Sequence, residues 1–502
     1  MPDFILQEAL SKGLREDSNN SRNSQELTAL NDLIPTEWGL KQIPVVTYPL
    51  SSPSLSMSWP HPQILNGEFN KLLANKTTIH EINLSALTGA SLSFVGSVAP
   101  TTSSQPWEMA SFAENIWFLT NITNFVYRLP ANASGNAAVV TAFTVNSLAN
   151  HNGMLVLGGV GGTLPATLEA FFDEWKELDF TGDRTVSEDT TLAKNWIVYS
   201  DMGGGARDVP FYSFMQMFEE PAATAPTTEM MVVIRDQLER GEIGFFPLKR
   251  EGDIKRLLPL GNDLVAYTRS GVSILRMTEA GYREEEILDI GVLYSGNVGG
   301  DKSQHIFITE QADLYRLRGN ELEKLNYREY MDTLTLSATV ICYDPDERYF
   351  TISDSNNGFT LTRTGLAATD AILPSSMCRM QGYEGLAGTP VNEGGTVAAS
   401  LTTDIFDAGS RGVHEIVYVN IATTDTTTAG WTVQVMWRMN KNDNFTTESA
   451  VTFDDRGVAR VKVSGIEFKL ILTAEDRTKV DLERIEVVLR QGGKKKLRQL
   501  IA

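Results

Sequence analysis

Five histidines, two cysteines and several acidic runs are the residues of this chain equipped for metal binding, nucleophilic attack or general acid–base work. His61, His80, His151, His305 and His414 are scattered, and no two stand at metal-ligand spacing with a cysteine or carboxylate between them, so a zinc site is not expected. Gly158-Gly-Val-Gly-Gly162 follows an apolar run and has the look of a phosphate-cradling turn. No Gly-Lys-Ser/Thr follows it, and Leu164 and Pro165 occupy the positions where such a loop opens its helix, so it reads as a connection between strands. There is no Gly-x-Ser-x-Gly elbow for a nucleophilic serine.

Carboxylate pairs are harder to dismiss, because two acids brought together in space can hydrolyse a glycosidic bond whatever their separation in sequence. The candidates are Glu284-Glu-Glu286, Asp344-Pro-Asp-Glu347 and Asp454-Asp455. Each is expected in a turn, where acids are common for conformational reasons. Ser353-Asp-Ser-Asn-Asn-Gly-Phe-Thr360 approaches the hairpin box of sialidase propellers, but its register is off by one and no tryptophan closes it, so that chemistry is not carried over. No catalytic residue, metal ligand or cofactor is therefore expected, and the chain is read as a non-enzyme.

The whole composition narrows the classes further. The chain has 502 residues, 42% of them hydrophobic, and 43 Lys and Arg against 63 Asp and Glu give a net charge of −20. That hydrophobic content is a globular one. The negative balance excludes a broad phosphate-neutralising surface that wraps nucleic acid, while permitting a surface past which DNA slides without sticking. No apolar window is long enough for a membrane span, and the first residues lack a basic-then-apolar export signal, so neither a span nor export is expected. Cys342 and Cys378 cannot make a disulfide framework in so long a chain, which leaves stability to packing.

The elements that must position any site come from a repeat. An apolar strand, a short polar turn and a second strand often ending in apolar-Arg-apolar recur, as in Ile116 to Leu129, Leu264 to Met277, Ile306 to Leu317 and Tyr349 to Arg363. Leu73, Trp117, Leu155, Ile197, Val265, Phe307 and Tyr349 mark seven units, spaced by 44, 38, 42, 68, 42 and 42 residues. Spacing near forty with hairpin content is that of four-stranded propeller blades. The expectation is a mainly β fold: a degenerate multi-bladed β-propeller over residues 65–390, with an insertion around 209–240 lying between blades. One helix is expected at Leu168 to Leu178, where Phe171, Phe172 and Trp175 share an apolar stripe and are candidate partner contacts.

After residue 390 the strands lengthen. Trp431, Val433, Val435 and Trp437 alternate onto one face, and residues 391–490 are expected to form a β-sandwich. Residues 491–502 form a basic, glycine-hinged tail whose Lys494, Lys495, Lys496 and Arg498 are further candidate partner contacts. Residues 1–64, polar and proline-punctuated, lack the means for a core of their own and are expected to be an extended arm laid over another domain or subunit.

Together, Asn31-Asp-Leu-Ile-Pro35, Gly39-Leu40 with Pro44, Asn195-Trp-Ile-Val-Tyr-Ser-Asp-Met-Gly203, Gly465 to Leu472 and Asp481 to Leu489 are similar to the tail nozzle, or packaged-DNA stabilisation, proteins of short-tailed bacteriophages. The resemblance spans most of the chain. It implies a structural virion protein, assembled in the host cytoplasm and residing in the virion tail, whose copies form a ring, a hexamer in that family. Its partners there are the portal or adaptor ring, tail fibres or spikes, and genomic DNA passing through an acidic lumen. Such a ring closes the exit channel after packaging and conducts DNA during ejection. The alternative is a virion-tail propeller that binds a glycan or receptor, with Trp431 and Trp437 as candidate stacking residues.

Overall fold

The computed structural model describes residues 3–17, 27–42, the strands between 63 and 139, residues 145–160 and 194–200, most of 242–369, residues 398–407 and most of 412–491, with isolated positions between 232 and 240. Among these residues, six sheets each contain four antiparallel strands in sequential order. Blade I comprises Gln63–Asn66, Lys71–Ala74, Ile79–Asn83 and Thr88–Ser91. Blade II comprises Glu108–Phe112, Asn115–Leu119, Val126–Pro130 and Asn136–Val139, with Ser93–Val95 added in parallel at its edge. Blade III is built from Ser147–His151, Met154–Gly158, Trp196–Tyr199 and Gly244–Pro247, and blade IV from Ile254–Leu260, Asp263–Thr268, Val272–Thr278 and Gly281–Leu288. Blade V is Val298–Gly300, His305–Ile308, Leu314–Arg318 and Glu321–Leu325; blade VI is Val340–Asp344, Tyr349–Ser353, Gly358–Leu361 and Leu366–Thr369.

The burial of these strands shows how blades stack. Second strands such as Met154–Gly158, His305–Ile308 and Tyr349–Ser353 are buried at every position. A strand buried at consecutive residues has both faces covered, which is what packing a sheet between two others requires. Fourth strands differ: Gly281–Leu288 and Glu321–Leu325 alternate towards solvent and carry Glu284, Glu285, Glu286, Glu321 and Glu323 on a sheet edge, where charge discourages edge-to-edge association. First strands of successive blades touch one another, from I to II, II to III, III to IV and V to VI. Leu260, Val265, Tyr267 and Ile274 of blade IV share a buried cluster with Val298, Phe307 and Leu317 of blade V.

Seven units were expected from the repeat; six blades are found among the described residues. Leu155 and Ile197, though 42 residues apart, lie on neighbouring strands of blade III, where Val156 pairs with Tyr199 and Gly158 with Ile197. Residues 201–243, including the surplus expected between blades, join the third and fourth strands of that same blade. A long connection inside one blade counterfeits a period when it matches the blade's own length.

Local turn chemistry explains several hairpins. Asn152 and Gly153 both adopt positive φ, 52° and 79°, as the two-residue turn joining His151 to Met154 demands. The Asn357-Gly358 pair works otherwise: Gly358 is the first residue of its strand, and the Asp354 carboxylate gathers the amides of Asn356 and Asn357 at 2.7 and 2.6 Å and that of Thr335 at 2.7 Å.

The amino-terminal residues join propeller to sandwich. Leu27–Asn31 lies parallel to the last strand of blade VI and antiparallel to Ala399–Thr403, making one ten-stranded sheet that continues through Glu467–Ala474 to Thr432–Arg438. The second layer holds Leu33–Thr36, Gly39–Gln42, His414–Thr423 and Asp481–Gln491, with Asp3–Ile5 paired to the last of these. Trp431, Val433, Phe468 and Leu470 meet Val419, Leu482 and Val487 between the layers, and the same cluster takes in Leu10 of the helix Gln7–Lys12 and Phe350 and Phe359 of blade VI. Gly39, at φ 146°, sits where a Cβ would fall 2.2 Å from the Leu482 carbonyl oxygen, so only glycine allows this hairpin to lie on the sandwich.

Candidate functional site

The sequence-derived partner contacts Phe171, Phe172, Trp175, Lys494, Lys495, Lys496 and Arg498 lie outside the described residues. Among the described residues the acidic candidates do not converge; Asp346 and Glu347 lie outside them. Glu284, Glu285 and Glu286, expected in a turn, stand on the edge strand of blade IV, whose solvent-facing side accommodates charge. Glu284 accepts from Ser273 Oγ and the Lys249 amide, both at 2.7 Å, Glu285 pairs with Arg276 at 2.7 Å, and Glu286 pairs with Arg250. Asp454 does sit in its turn, accepting the amides of Arg456 and Val458 at 3.0 and 2.9 Å. No group of three His, Cys, Asp or Glu residues among those described could hold a metal ion.

What the fold does bring together is a polar belt along the innermost strands, unannounced by any motif. Glu108 opens the first strand of blade II, and its Oε2 accepts the Ser147 hydroxyl at 2.5 Å and the Leu148 amide at 3.0 Å, both from blade III. Ser147 Oγ accepts in turn from the Leu257 amide of blade IV at 2.8 Å. Arg256, next along, donates Nη1 to the carbonyls of Ser295 and Val298 at 3.0 and 2.8 Å, entering blade V. Asn297 then donates Nδ2 to Leu336 O at 2.8 Å on the approach to blade VI. Each side chain thus satisfies backbone groups of the following blade, and five consecutive blades are fastened in series.

The electrostatics follow from this burial. Loss of water pushes the Glu108 carboxyl up to about 7, against the opposing pull of the Arg256 guanidinium, the Ser147 hydroxyl and the Leu148 amide. Burial likewise pushes the Cys342 thiol, on the first strand of blade VI, up to about 12, which leaves it unreactive near neutrality. A carboxyl poised near neutrality can carry a proton, and the groups it holds here, the Ser147 hydroxyl and the Leu148 amide, both belong to the next blade.

An outer series parallels it. The arginine of the apolar-Arg-apolar repeat reaches forward, Arg276 to Asn320 Oδ1 at 2.8 Å and Arg316 to Thr362 O at 3.3 Å, and the exposed Arg363 at the end of the next unit pairs with Glu37 at 3.4 Å. The amino-terminal hairpin is thus tied to blade VI by an arginine, as blade V is to blade IV and blade VI to blade V. The repeat was legible in sequence; its partners were not, because those of Arg276 and Arg316 lie about one blade-length downstream and that of Arg363 lies near the amino terminus. Of the candidate glycan-stacking residues, Trp431 is fully buried and Trp437 is half-buried, its indole N–H donated to Glu448 at 2.8 Å.

The fold so defined is that of a multi-bladed β-propeller with a carboxy-terminal β-sandwich. No protein family and no curated protein matches the chain. Among solved structures it is similar to BamB from Moraxella catarrhalis, at 13% identity over 67% of this chain and 76% of that one, with a TM-score of 0.31. It is also similar to apo AztD from Citrobacter koseri, at 9% identity over 62% and 72% with a TM-score of 0.31, and to YjhT, at 9% over 64% and 99% with a TM-score of 0.34. At such scores the likenesses carry no weight for function, and the propeller rests on its own strand order.

Proposed function

We propose that this protein is a structural component of a short-tailed bacteriophage virion, forming a ring-shaped tail nozzle below the portal or adaptor that retains packaged DNA and conducts it during ejection. The reading rests on the resemblance described above, and one observation supports it most. Segments that are far apart in sequence and carry the resemblance meet at one junction: Leu40 pairs with Leu482, and Leu33, Leu40, Leu470 and Leu482 share a core. Asn195–Tyr199, another carrier, contributes to blade III instead.

The rest of the architecture suits such a role. Blades fastened in series by side-chain-to-backbone bonds resist separation under load, and a net charge of −20 repels phosphate from any lumen the chain lines. In this proposal several copies form the ring, portal and fibre proteins bound it above and at the side, and DNA passes without sequence-specific contact.

The deciding experiment is cryo-electron microscopy of particles assembled without this chain. Heads that bear a portal yet have lost their DNA are the expected result. Heads that keep their DNA but fail to adsorb would overturn the nozzle reading in favour of receptor binding.

A further inference from the structure

Blade IV is gripped from both sides by histidines in the same chemical state. His151 of blade III places Nε2 at 3.0 Å from the Asn262 carbonyl and Nδ1 at 2.6 Å from the Tyr282 hydroxyl. His305 of blade V places Nε2 at 3.1 Å from the Pro259 carbonyl and Nδ1 at 2.9 Å from the Tyr267 hydroxyl. All four partners belong to blade IV. A carbonyl only accepts, so each Nε2 carries the hydrogen; in a neutral ring each Nδ1 then accepts from its tyrosine. His151, His305 and Tyr267 are at most 1% exposed and Tyr282 is 8% exposed.

We propose that this matched pair makes the seams of blade IV an acid-sensitive latch, closed while both imidazoles are neutral and released when they take up protons. Protonation puts a donor on Nδ1 opposite a hydroxyl already donating, and the tyrosine must turn its hydrogen away inside a buried seam. Opening the seam is the relief.

The surroundings favour the neutral state. Burial lowers the affinity of His305 for a proton to about 4, with Arg256 acting in the same direction and the Pro259 carbonyl and Asp301 against it. Burial also lowers His151, helped by Lys302 and opposed by the Asn262 carbonyl and Asp263. Glu108, tied to Ser147 on the His151 strand, acts in the opposite sense, since its proton is favoured by burial. Because the open state binds protons that the closed one refuses, opening grows by up to about tenfold per pH unit for His305 from the ordinary imidazole value down to about 4.

The test is amide hydrogen exchange of the full chain between about pH 7 and pH 4.5, corrected for intrinsic exchange rates. Protection of residues 254–288 should fall about tenfold per unit below about pH 6.5, while that of 431–474 holds. In the His151→Gln/His305→Gln chain, whose amides can still donate to the carbonyls and accept from the tyrosines, that acid-induced loss should vanish, leaving at most the opposite trend that Glu108 contributes. The latch is overturned by an unchanged slope in the double variant, or by acid-induced opening that begins in the sandwich. Should the variant not fold, nitrogen chemical shifts of the wild-type rings decide: neutral Nε2–H rings at about pH 5.5 uphold the latch, and charged rings with blade IV still protected overturn it.

Discussion

Ser147 donates its hydroxyl to Glu108 at 2.5 Å while accepting the Leu257 amide at 2.8 Å, so one serine on an innermost strand ties three blades together. The arrangement makes the Glu108 proton a structural quantity. In the unfolded chain this carboxyl titrates at its ordinary value of 4.5; in the fold it titrates near 7. A raised carboxyl favours folding while protonated, so its contribution is full below the unfolded value and is lost as pH climbs towards 7. Carried through, the linkage is worth up to about 3 kcal/mol. Glu108→Gln, which keeps the acceptor oxygen and never charges, should remove this component, so the wild type's advantage in denaturation midpoint over the variant should shrink between about pH 5 and pH 8, while His151 and His305 act in the opposite sense on both chains alike. Urea melts at the two pH values measure it.

Close approach of blades V and VI gives a second expectation. A Cβ on Gly299 would lie 2.5 Å from the Ile341 carbonyl oxygen and 2.6 Å from its Cγ2, with backbone on one side and a branched side chain on the other. Gly299→Ala should cost about 1–3 kcal/mol by forcing the inner strands apart. Gly153→Ala is the contrasting case: nothing lies within 4 Å, and the cost is backbone strain at φ 79°, about 1–2 kcal/mol. The two variants separate by exchange protection of residues 340–344, which only Gly299→Ala should reduce.

These expectations also mark what the sequence could disclose. Strand pairs, the near-forty spacing and the alternation of Trp431, Val433 and Val435 were visible, because a buried strand writes its faces into residue type. The blade count was not, since the stretch from Leu155 to Ile197 has the length of a blade while lying inside one. The union of Leu27–Asn31 with blade VI and the sandwich was equally hidden: pairing across more than three hundred residues leaves no local trace. Glu108, Ser147 and Arg256 form no motif, and only their equivalence on successive first strands unites them. His151 and His305 stand alone in the sequence, because their tyrosine partners are 131 and 38 residues away.

The tryptophans make a third prediction. Trp431 is fully buried in the sandwich core, and Trp431→Ala should cost about 3–5 kcal/mol. Trp38, 74% exposed at the tip of the hairpin fixed by Gly39, should tolerate serine within about 0.5 kcal/mol. Thermal denaturation of both variants settles the ordering, and a larger loss at Trp38 would mean that the tip is packed in solution.

The outer arginines divide by burial in the same way. Arg276 is 39% exposed and meets Glu285, Asp263 and Asn320 at a wet surface, where ion pairs are worth under about 1 kcal/mol. Arg316 is 9% exposed, donates to Thr362 O across the seam of blades V and VI, and lies 3.7 Å from Glu323. Burial lowers its proton affinity, with Arg318 adding to that effect and Glu323 and Tyr327 resisting it, yet a guanidinium stays charged at any working pH. Arg316→Ala should therefore strip a half-buried carbonyl of its donor and remove a buried side chain, costing about 1–3 kcal/mol, whereas Arg276→Ala should fall within about 1 kcal/mol of wild type. Because surface pairs are screened and buried ones are not, raising the salt concentration should narrow the Arg276 difference and leave the Arg316 difference standing in denaturant melts.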